Sequence, residues 1–137
     1  MKNLRFKFRV WNKEEKVMHY DAEQTYDFMT GKPVICKESF GELLEDKNYI
    51  VMQCTGLKDK NGKLIYEGDL LKTRFGLILK VYWREQSAMF WLETLDGVIP
   101  FTFYAKQQLD GDLMEIIGNV YENKELVEEK RVKQDMQ

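Results

Sequence analysis

Residues 55–71 of this chain read TGLKDKNGKLIYEGDLL, and two turn signals within this stretch decide the fold. The Asn-Gly pair at 61–62 would close a two-residue hairpin loop, but that register sets Lys60 opposite Lys63, and like charges facing each other across a strand pair are unfavourable. A three-residue loop that begins as a type I turn at Asp59 and ends in Gly62 at positive φ places Asp59 opposite Lys63 instead. The stretch therefore predicts a β-hairpin whose loop begins at Asp59.

The second turn signal is YEGD at residues 66–69. Its glycine, Gly68, tolerates the backbone conformation of a tight turn or bulge, and the carboxylate of Asp69 can accept hydrogen bonds from nearby backbone. A new strand then begins at Leu70. Both turns join extended segments, so their residues predict architecture and no chemistry.

The composition is that of a folded protein with enough apolar residues for a core. Of 137 residues, 44% are hydrophobic and 13% are aromatic, which excludes a disordered chain. A formal charge of −2 gives no overall attraction to nucleic acid or to an anionic membrane. The first residues alternate charge with hydrophobe, unlike a signal peptide, and no apolar run approaches the roughly 20 residues that span a bilayer. We therefore expect a cytoplasmic protein with no membrane partner. In a reducing compartment, Cys36 and Cys54 are expected to be free, buried thiols.

Period-two alternation predicts a half-buried strand near the N-terminus. One face carries Leu4, Phe6, Phe8 and Val10, and the other carries Arg5, Lys7, Arg9 and Trp11. A charged turn then leads into residues 17–20, which completes a first hairpin. Further along, Ser39 and Glu42 have the spacing of a capping box, which predicts one or two helical turns. Residues 21–31 are predicted as a loop, and residues 33–36 as a short edge strand.

A third turn signal, Asp96-Gly97, predicts a two-residue hairpin loop, and its register pairs Leu92 with Phe101. In that register one face collects the aromatic and aliphatic side chains of both strands. Gly118 predicts a β-bulge in the last strand, and Asn123 can cap a short helix after it.

Short strands at regular intervals, with turns between them and little helical periodicity, indicate an all-β protein. Five strands joined by tight hairpins in residues 49–121 predict a small SH3-like barrel. Residues 1–48 are predicted as an additional N-terminal β unit, made of the first hairpin, a loop and the short helix. Residues 122–137 are predicted as a short helix with a frayed, charged tail. The predicted architecture is mainly β with one or two short helices.

Residues that could carry catalysis are few, and structural roles explain them. His19 is the only histidine, and its place in a predicted strand favours a structural or surface role. Cys36 and Cys54 lack the close spacing of zinc ligands. The aspartates near glycines are typical turn formers; they are Asp59, Asp69, Asp96, Asp110 and Asp112. We predict no catalytic residue, no metal site and no cofactor, and the sequence has no glycine-rich phosphate loop.

Two sets of residues could bind a partner. The first is the polar face of the N-terminal strand, Arg5, Lys7, Arg9 and Trp11, within residues 1–16, where six basic and two acidic residues give 6 − 2 = +4. Such a stripe could contact phosphates and stack a base, although a charged edge that resists aggregation is the commoner explanation. The second set is Tyr82, Trp83, Trp91 and Tyr104, which would mark a protein interface or peptide groove if they are exposed. Core packing is the commoner explanation here too.

Five short motifs occur in order along the chain: FRVW at 8–11, KVM at 16–18, MQCTGLKDKNGK at 52–63, IYEGD at 65–69 and EIIGNVYEN at 115–123. This ordered set resembles the YopX family of phage and prophage proteins. It spans most of the chain, although residues 21–48 and 86–112 carry no matching motif and Cys54 stands where the family pattern has an aromatic. The resemblance implies a mostly β protein expressed in an infected or lysogenic bacterial cell, and it transfers no catalytic or binding residue.

We therefore expect a non-enzymatic β interaction module that forms homo-oligomers in the cytoplasm of a bacterial host cell. The basis is abundant turn chemistry without an assembled catalytic set. The alternative is a nucleic-acid-binding module that uses Arg5, Lys7, Arg9 and Trp11. An enzyme would instead need a concave site that joins His19 or Cys54 to carboxylates.

Overall fold

A computed structural model describes residues 4–24, 39–94, 97–101 and 114–126 of the chain. The chain divides into two compact units, Met1–Gly56 and Leu57–Gln137. Nine β-strands and two short helices have their bounds within the described residues, so the prediction of an all-β protein is confirmed. The predicted domain ranges 1–48, 49–121 and 122–137 stay a prediction.

The first unit is organised around the central strand of its sheet. Its elements are a 3-10 helix at Leu4–Phe6, β1 at Phe8–Asn12, β2 at Val17–Tyr20, α1 at Phe40–Glu45 and most of β3 at Tyr49–Lys58, whose last two residues belong to the second unit. Strand β1 lies between β2 and β3 and is antiparallel to both. Val10 pairs with His19 on one side and with Val51 on the other, so these three residues share a face of the sheet.

The N-terminal strand differs from the prediction in two ways. The N–H of Lys7 donates to the C=O of Leu4 at 3.1 Å and closes a 3-10 turn, so the strand begins only at Phe8. The strand is also more than half-buried, because all residues from Arg9 to Asn12 are buried. Successive side chains of a strand point to opposite faces, so four consecutive buried residues mean that both faces of β1 are covered.

A small core lies on one of these faces. Val10 and Ala22 are fully buried, and the partly buried side chains packed against them are Phe8, Phe40, Tyr49 and Val51. The predicted capping box is confirmed: Ser39 Oγ accepts from the N–H of Glu42, and Glu42 Oε1 accepts from the N–H of Ser39, both at 3.3 Å. The box begins α1 next to Phe40, the helical residue that contributes to this core.

The second unit contributes β4 at Leu64–Tyr66, β5 at Asp69–Lys72, β6 at Ile78–Arg84, β7 at Met89–Glu93, β8 at Val98–Pro100 and β9 at Glu115–Asn119. Strands β5 to β9 form an antiparallel sheet in the order β8-β7-β6-β5-β9, and β4 is the last strand of the order β2-β1-β3-β4. The main core cluster is Ile65, Leu71, Leu79, Val81, Leu92, Phe101 and Met114. We call the face of the five-stranded sheet that carries Leu71, Leu79, Val81 and Leu92 the inner face, and the opposite one the outer face.

The hairpin loop predicted at Asp59 is confirmed. The N–H of Asp59 donates to the C=O of Lys63 at 2.8 Å, the N–H of Gly62 donates to the C=O of Asp59 at 3.1 Å, and Gly62 has φ of 82°. The carboxylate does more than the sequence indicates. Its Oδ1 accepts from the N–H groups of Asn61 and Lys63, both at 2.9 Å, and its Oδ2 accepts from the N–H of Ile116 at 3.0 Å. A side chain that is 2% exposed therefore joins this loop to β9.

The second predicted turn is also confirmed. The N–H of Tyr66 donates to Asp69 Oδ2 at 2.7 Å, and Gly68 has φ of 91°, which a residue with a Cβ rarely adopts. The N–H of Gly68 donates to the C=O of Val81, and its C=O accepts from the N–H of Val120. The turn is thus hydrogen-bonded to segments on two sides of β5.

The predicted register of the β7–β8 hairpin is wrong by two residues. Leu92 pairs with Ile99 instead of Phe101. The hairpin closes one residue earlier than predicted, because the N–H and Oγ1 of Thr94 both donate to the C=O of Gly97, at 2.7 and 3.0 Å, and two residues still separate the paired ends. A shift of two keeps every side chain on its predicted face, since the side-chain period of a strand is two. Leu92 and Phe101 therefore still reach the core.

The bulge predicted at Gly118 is confirmed, because the register between β5 and β9 shifts there. The strand end is held by asparagine side chains: the N–H of Asn119 donates to Asn123 Oδ1 at 3.1 Å. A helical turn at residues 124–126 follows Asn123, as predicted. The side chain of Asn123 therefore links the start of this helical turn to the last residue of β9.

Three predictions lie outside the described residues: most of the loop at 21–31, the edge strand at 33–36 and the frayed tail at 128–137. Within the described part of the chain, the helices are too short to cross a bilayer.

Candidate functional site

The pairing of β6 with β7 sorts the predicted aromatic set. Tyr82 lies opposite Trp91, and Trp83 lies opposite Phe90. Because neighbouring residues of a strand point to opposite faces, the Tyr82–Trp91 pair belongs to the outer face and Trp83 to the inner face. Tyr104 lies outside the described residues. The structure thus divides one predicted group between two surfaces.

Trp83 ends an aromatic row on the inner face. Its ring centroid is 5.0 Å from that of Phe90 in an edge-on contact, and Phe90 is 6.3 Å from Phe101. Phe101 belongs to the core cluster and Phe90 packs against it, whereas Trp83 is 40% exposed. A large aromatic that the core supports on one side and solvent reaches on the other is typical of residues that dominate protein interfaces.

The outer face places cations beside aromatic rings. Cζ of Arg84 lies 5.0 Å from the ring centroid of Trp91, and Nζ of Lys80 lies 6.0 Å from that of Tyr82. Lys80 also forms an ion pair with Glu93 at 3.3 Å. Arg84 has no carboxylate at ion-pair distance within the described ranges. Its guanidinium is therefore held near an indole ring and keeps its capacity to bind an anion.

The β5–β6 hairpin ends in a highly exposed aromatic side chain. Phe75 is 83% exposed, and Cζ of Arg74 lies 4.8 Å from its ring centroid. Thr73 shapes this turn, because its Oγ1 accepts from the N–H groups of Phe75 and Leu77, at 3.3 and 3.1 Å. The loop therefore presents Phe75 on a defined backbone.

Half of the N-terminal stripe predicted to contact nucleic acid is buried, although Arg5 is exposed and Lys7 is half-buried. Arg9 is 2% exposed and Trp11 is 8% exposed, so the prediction that both lie on a solvated face is wrong. Nη1 of Arg9 donates to the hydroxyl of Tyr20 at 3.5 Å. Arg9 and Trp11 are buried because β1 is covered on both faces. The alternation of charged and apolar residues had indicated that one face is exposed. Nucleic-acid contacts by Arg5 and Lys7 stay a prediction.

Lys7 is occupied by a neighbouring carboxylate. Its Nζ lies 2.8 Å from Asp21 Oδ1. This hydrogen bond, with the negative charges of Asp21 and Glu23, raises the pKa of Lys7 above its ordinary value of 10.5, against an opposing effect of desolvation. Lys7 is therefore a protonated partner of Asp21.

The two candidate catalytic groups of the first unit lie on opposite faces of its sheet. His19 shares a face with its partner Val10. Cys54 is two residues from Met52, which pairs with Arg9 on the other face. The thiol is fully buried, as predicted, and its Sγ accepts from the N–H of Gly56 at 3.4 Å. This placement separates the imidazole from the thiol, while Cys36 lies outside the described residues.

The turn aspartates bind backbone. Asp59 and Asp69 accept amide hydrogen bonds and are each 2% exposed, whereas Asp96, Asp110 and Asp112 lie outside the described residues. Within the part of the chain that the structure describes, no three His, Cys, Asp or Glu side chains are grouped to hold a metal ion.

Sequence reasoning missed the cations of the β5–β6 hairpin. Residues 70–84 contain Lys72, Arg74, Lys80 and Arg84 and no acidic residue, in a chain with a net charge of −2. The strand register shows which of these cations are neighbours. Lys72 pairs with Ile78, and Ile78 lies on the same face as Lys80, two residues along β6. A charge count over short windows would have found the run, but only the register shows which cations share a face.

The chain is similar to known proteins both in sequence and in structure. The family model described as YopX protein matches residues 7–128 of the chain. This chain belongs to the YopX family. It is also similar to the crystal structure of protein EF1440 from Enterococcus faecalis, with 26% sequence identity and a TM-score of 0.63 over 88% of this chain and 96% of that one. A comparison with curated proteins finds no match.

Three of the five motifs that carry the YopX resemblance coincide with fold-determining turns or bulges, and the other two lie at β1 and at the start of β2. The segment 52–63 contains the Asp59 loop, 65–69 contains the Gly68 turn, and 115–123 contains the bulge and the asparagine-held strand end. The cationic outer face at 72–84 lies between these motifs. In this YopX family protein the motifs form turns and strands of the fold, whereas the surfaces of β6 and β7 lie outside the motifs.

Proposed function

We propose that this YopX family protein is a non-enzymatic β interaction module, with an SH3-like barrel at residues 49–121, that self-associates in the cytoplasm of a bacterial cell carrying a phage or prophage. The observation that carries the proposal is Trp83, 40% exposed at the end of a core-supported aromatic row. A tryptophan on a rigid strand supplies a large contact area at a small conformational cost.

The proposal assigns no catalytic role to the chain. Its support is the separation of His19 from Cys54 and the engagement of Asp59 and Asp69 by backbone amides. A nucleophile needs a base within hydrogen-bond reach, and a general acid or base needs access to a substrate. The thiol of Cys54 is fully buried, so a substrate has no access to it.

Light scattering on size-exclusion fractions tests self-association. We expect a mass of at least two chains that falls on dilution, and we expect Trp83→Ala to weaken association by roughly 30-fold or more, as for an interface hot spot. The matched control is Trp91→Ala, which removes the same side chain from the outer face and should leave association unchanged. Circular dichroism checks that both variants are folded. A strictly monomeric wild-type protein, or equal association by Trp83→Ala and wild type, would contradict the proposal.

A further inference from the structure

The outer face of the β5–β6–β7 sheet concentrates positive charge. Lys72, Lys80 and Arg84 share this face, and Arg74 extends the row into the hairpin loop. Lys72 and Arg74 are exposed, whereas Lys80 and Arg84 are half-buried. Four cations thus lie within residues 70–84, a stretch that contains no acidic residue.

Two carboxylates border this row and leave most of its charge unneutralised. Glu93 pairs with Lys80 at 3.3 Å, and Glu115 pairs with Lys60 at 3.5 Å. Lys72 lies opposite Glu115 in the β5–β9 pairing, and Glu115 forms its ion pair with Lys60. Within the described ranges, Lys72, Arg74 and Arg84 form no ion pair, so their charges are available to external anions.

Aromatic rings lie among the same cations. Tyr82 and Trp91 form a cross-strand pair between Lys80 and Arg84, and the guanidinium of Arg84 is backed by the indole of Trp91 at 5.0 Å. Phe75 stands exposed beside Arg74 in the loop. Cations that track a phosphate backbone, interleaved with aromatic or guanidinium surfaces on which bases stack, are the chemistry of single-strand binding.

We propose that the outer face of β5, β6 and β7 binds single-stranded nucleic acid with little sequence preference. Lys72, Arg74, Lys80 and Arg84 contact phosphates, and bases stack on Tyr82 and on the Arg84–Trp91 pair. A duplex hides the faces of its bases, so it offers the cations phosphates but offers these rings nothing to stack on. This inference goes beyond the proposed function and does not depend on self-association, because Trp83 lies on the other face.

Fluorescence anisotropy with labelled oligothymidine and oligouridine of about 16 nucleotides measures this binding. The affinity should fall between about 50 and 200 mM salt with a log–log slope near −3, since each phosphate neutralised in a single strand contributes about −0.7. Replacing Lys72, Arg74 and Arg84 together by alanine should reduce the slope by about 2 and the affinity roughly 100-fold at about 0.1 M salt. Tyr82→Ala should weaken binding by roughly 5- to 100-fold through lost stacking.

Matched controls separate this site from general electrostatics. Alanine at Lys13, Lys47 and Lys63, three exposed lysines outside β5, β6 and β7, removes the same total charge and should leave the affinity nearly unchanged. The inference is overturned if no salt-dependent binding occurs, if the control triple weakens binding as much as the outer-face triple, or if a duplex of the same length binds as tightly. It is equally overturned if the outer-face triple changes only the oligomeric mass, which would make this face a protein interface.

Discussion

Replacing Asp59 by alanine should destabilise the second unit by about 3 to 5 kcal/mol. The carboxylate is 2% exposed and accepts three backbone N–H groups, from Asn61, Lys63 and Ile116. A net hydrogen bond to a charged group contributes about 1.5 to 3 kcal/mol, and an unsatisfied buried donor costs about 1 to 3 kcal/mol. The total stays below the simple sum, because water can reach the loop amides once the side chain is gone.

Asp59→Asn gives a sharper version of the same test. The amide keeps one oxygen, which can still accept from the loop amides, but it turns an N–H₂ group toward the N–H of Ile116. Two donors then face each other, so we expect a smaller loss of about 1 to 3 kcal/mol. Amide hydrogen exchange should be faster at Ile116 in both variants, but faster at Lys63 mainly in the alanine variant.

Urea unfolding followed by tryptophan fluorescence measures both changes. Trp83 and Trp91 report on the second unit and Trp11 on the first. With a denaturant slope of about 2 kcal/mol per M, the alanine variant should lower the midpoint of the second unit by roughly 1.5 to 2.5 M.

Asn61→Ala is the control for Asp59, because Asn61 is an exposed loop residue whose backbone amide makes the bond to Asp59. We expect a change within about 0.5 kcal/mol, as is usual for surface substitutions. If Asp59→Ala cost no more than this control, or if exchange at Ile116 were unchanged, the carboxylate would not join the loop to β9 and the reasoning would be refuted.

Two further predictions concern the strand end and the N-terminal ion pair. A Cβ at Gly118 would run into the side chain of Asn123, so Gly118→Ala should cost about 1 to 3 kcal/mol, and the double variant with Asn123→Ala should cost less than the sum; additive costs in urea unfolding would show that this contact is absent. The pKa of Lys7 is raised by Asp21, so its contribution to stability is present below pH 10.5 and is lost as pH rises through the higher folded value. Asp21→Asn should therefore lose less stability than wild type across that window, and parallel pH profiles would contradict the assigned ion pair.

Local turn chemistry made three features of the second unit predictable. The register conflict between Lys60 and Lys63 excluded one loop and favoured the loop that the structure contains, and the turn at Gly68 followed from residue type alone. Gly118 was predictable as a bulge for the same reason. Each of these features depends on residues within a few positions of one another, so the physics that selects it is visible in a short window.

The binding surfaces were less predictable, because they depend on what covers a strand. Arg9 and Trp11 alternate with apolar residues as an exposed face would, yet both are buried in a strand covered on two sides. Asp59 was predictable as a turn former, but its bond to Ile116 joins residues far apart in the chain. A single sequence records the period of a strand and carries no information about the layers above and below it.

The sequence alone determines where this chain turns and therefore that it is mainly β, because glycine, asparagine and aspartate impose backbone geometry locally. Tertiary structure decided the rest: which cations and rings share the outer face of β5 to β7, and that Trp83 faces away from Tyr82 and Trp91. The physical reason is that a surface is made by strands paired across the sheet, and their register is set by loop geometry and core packing together.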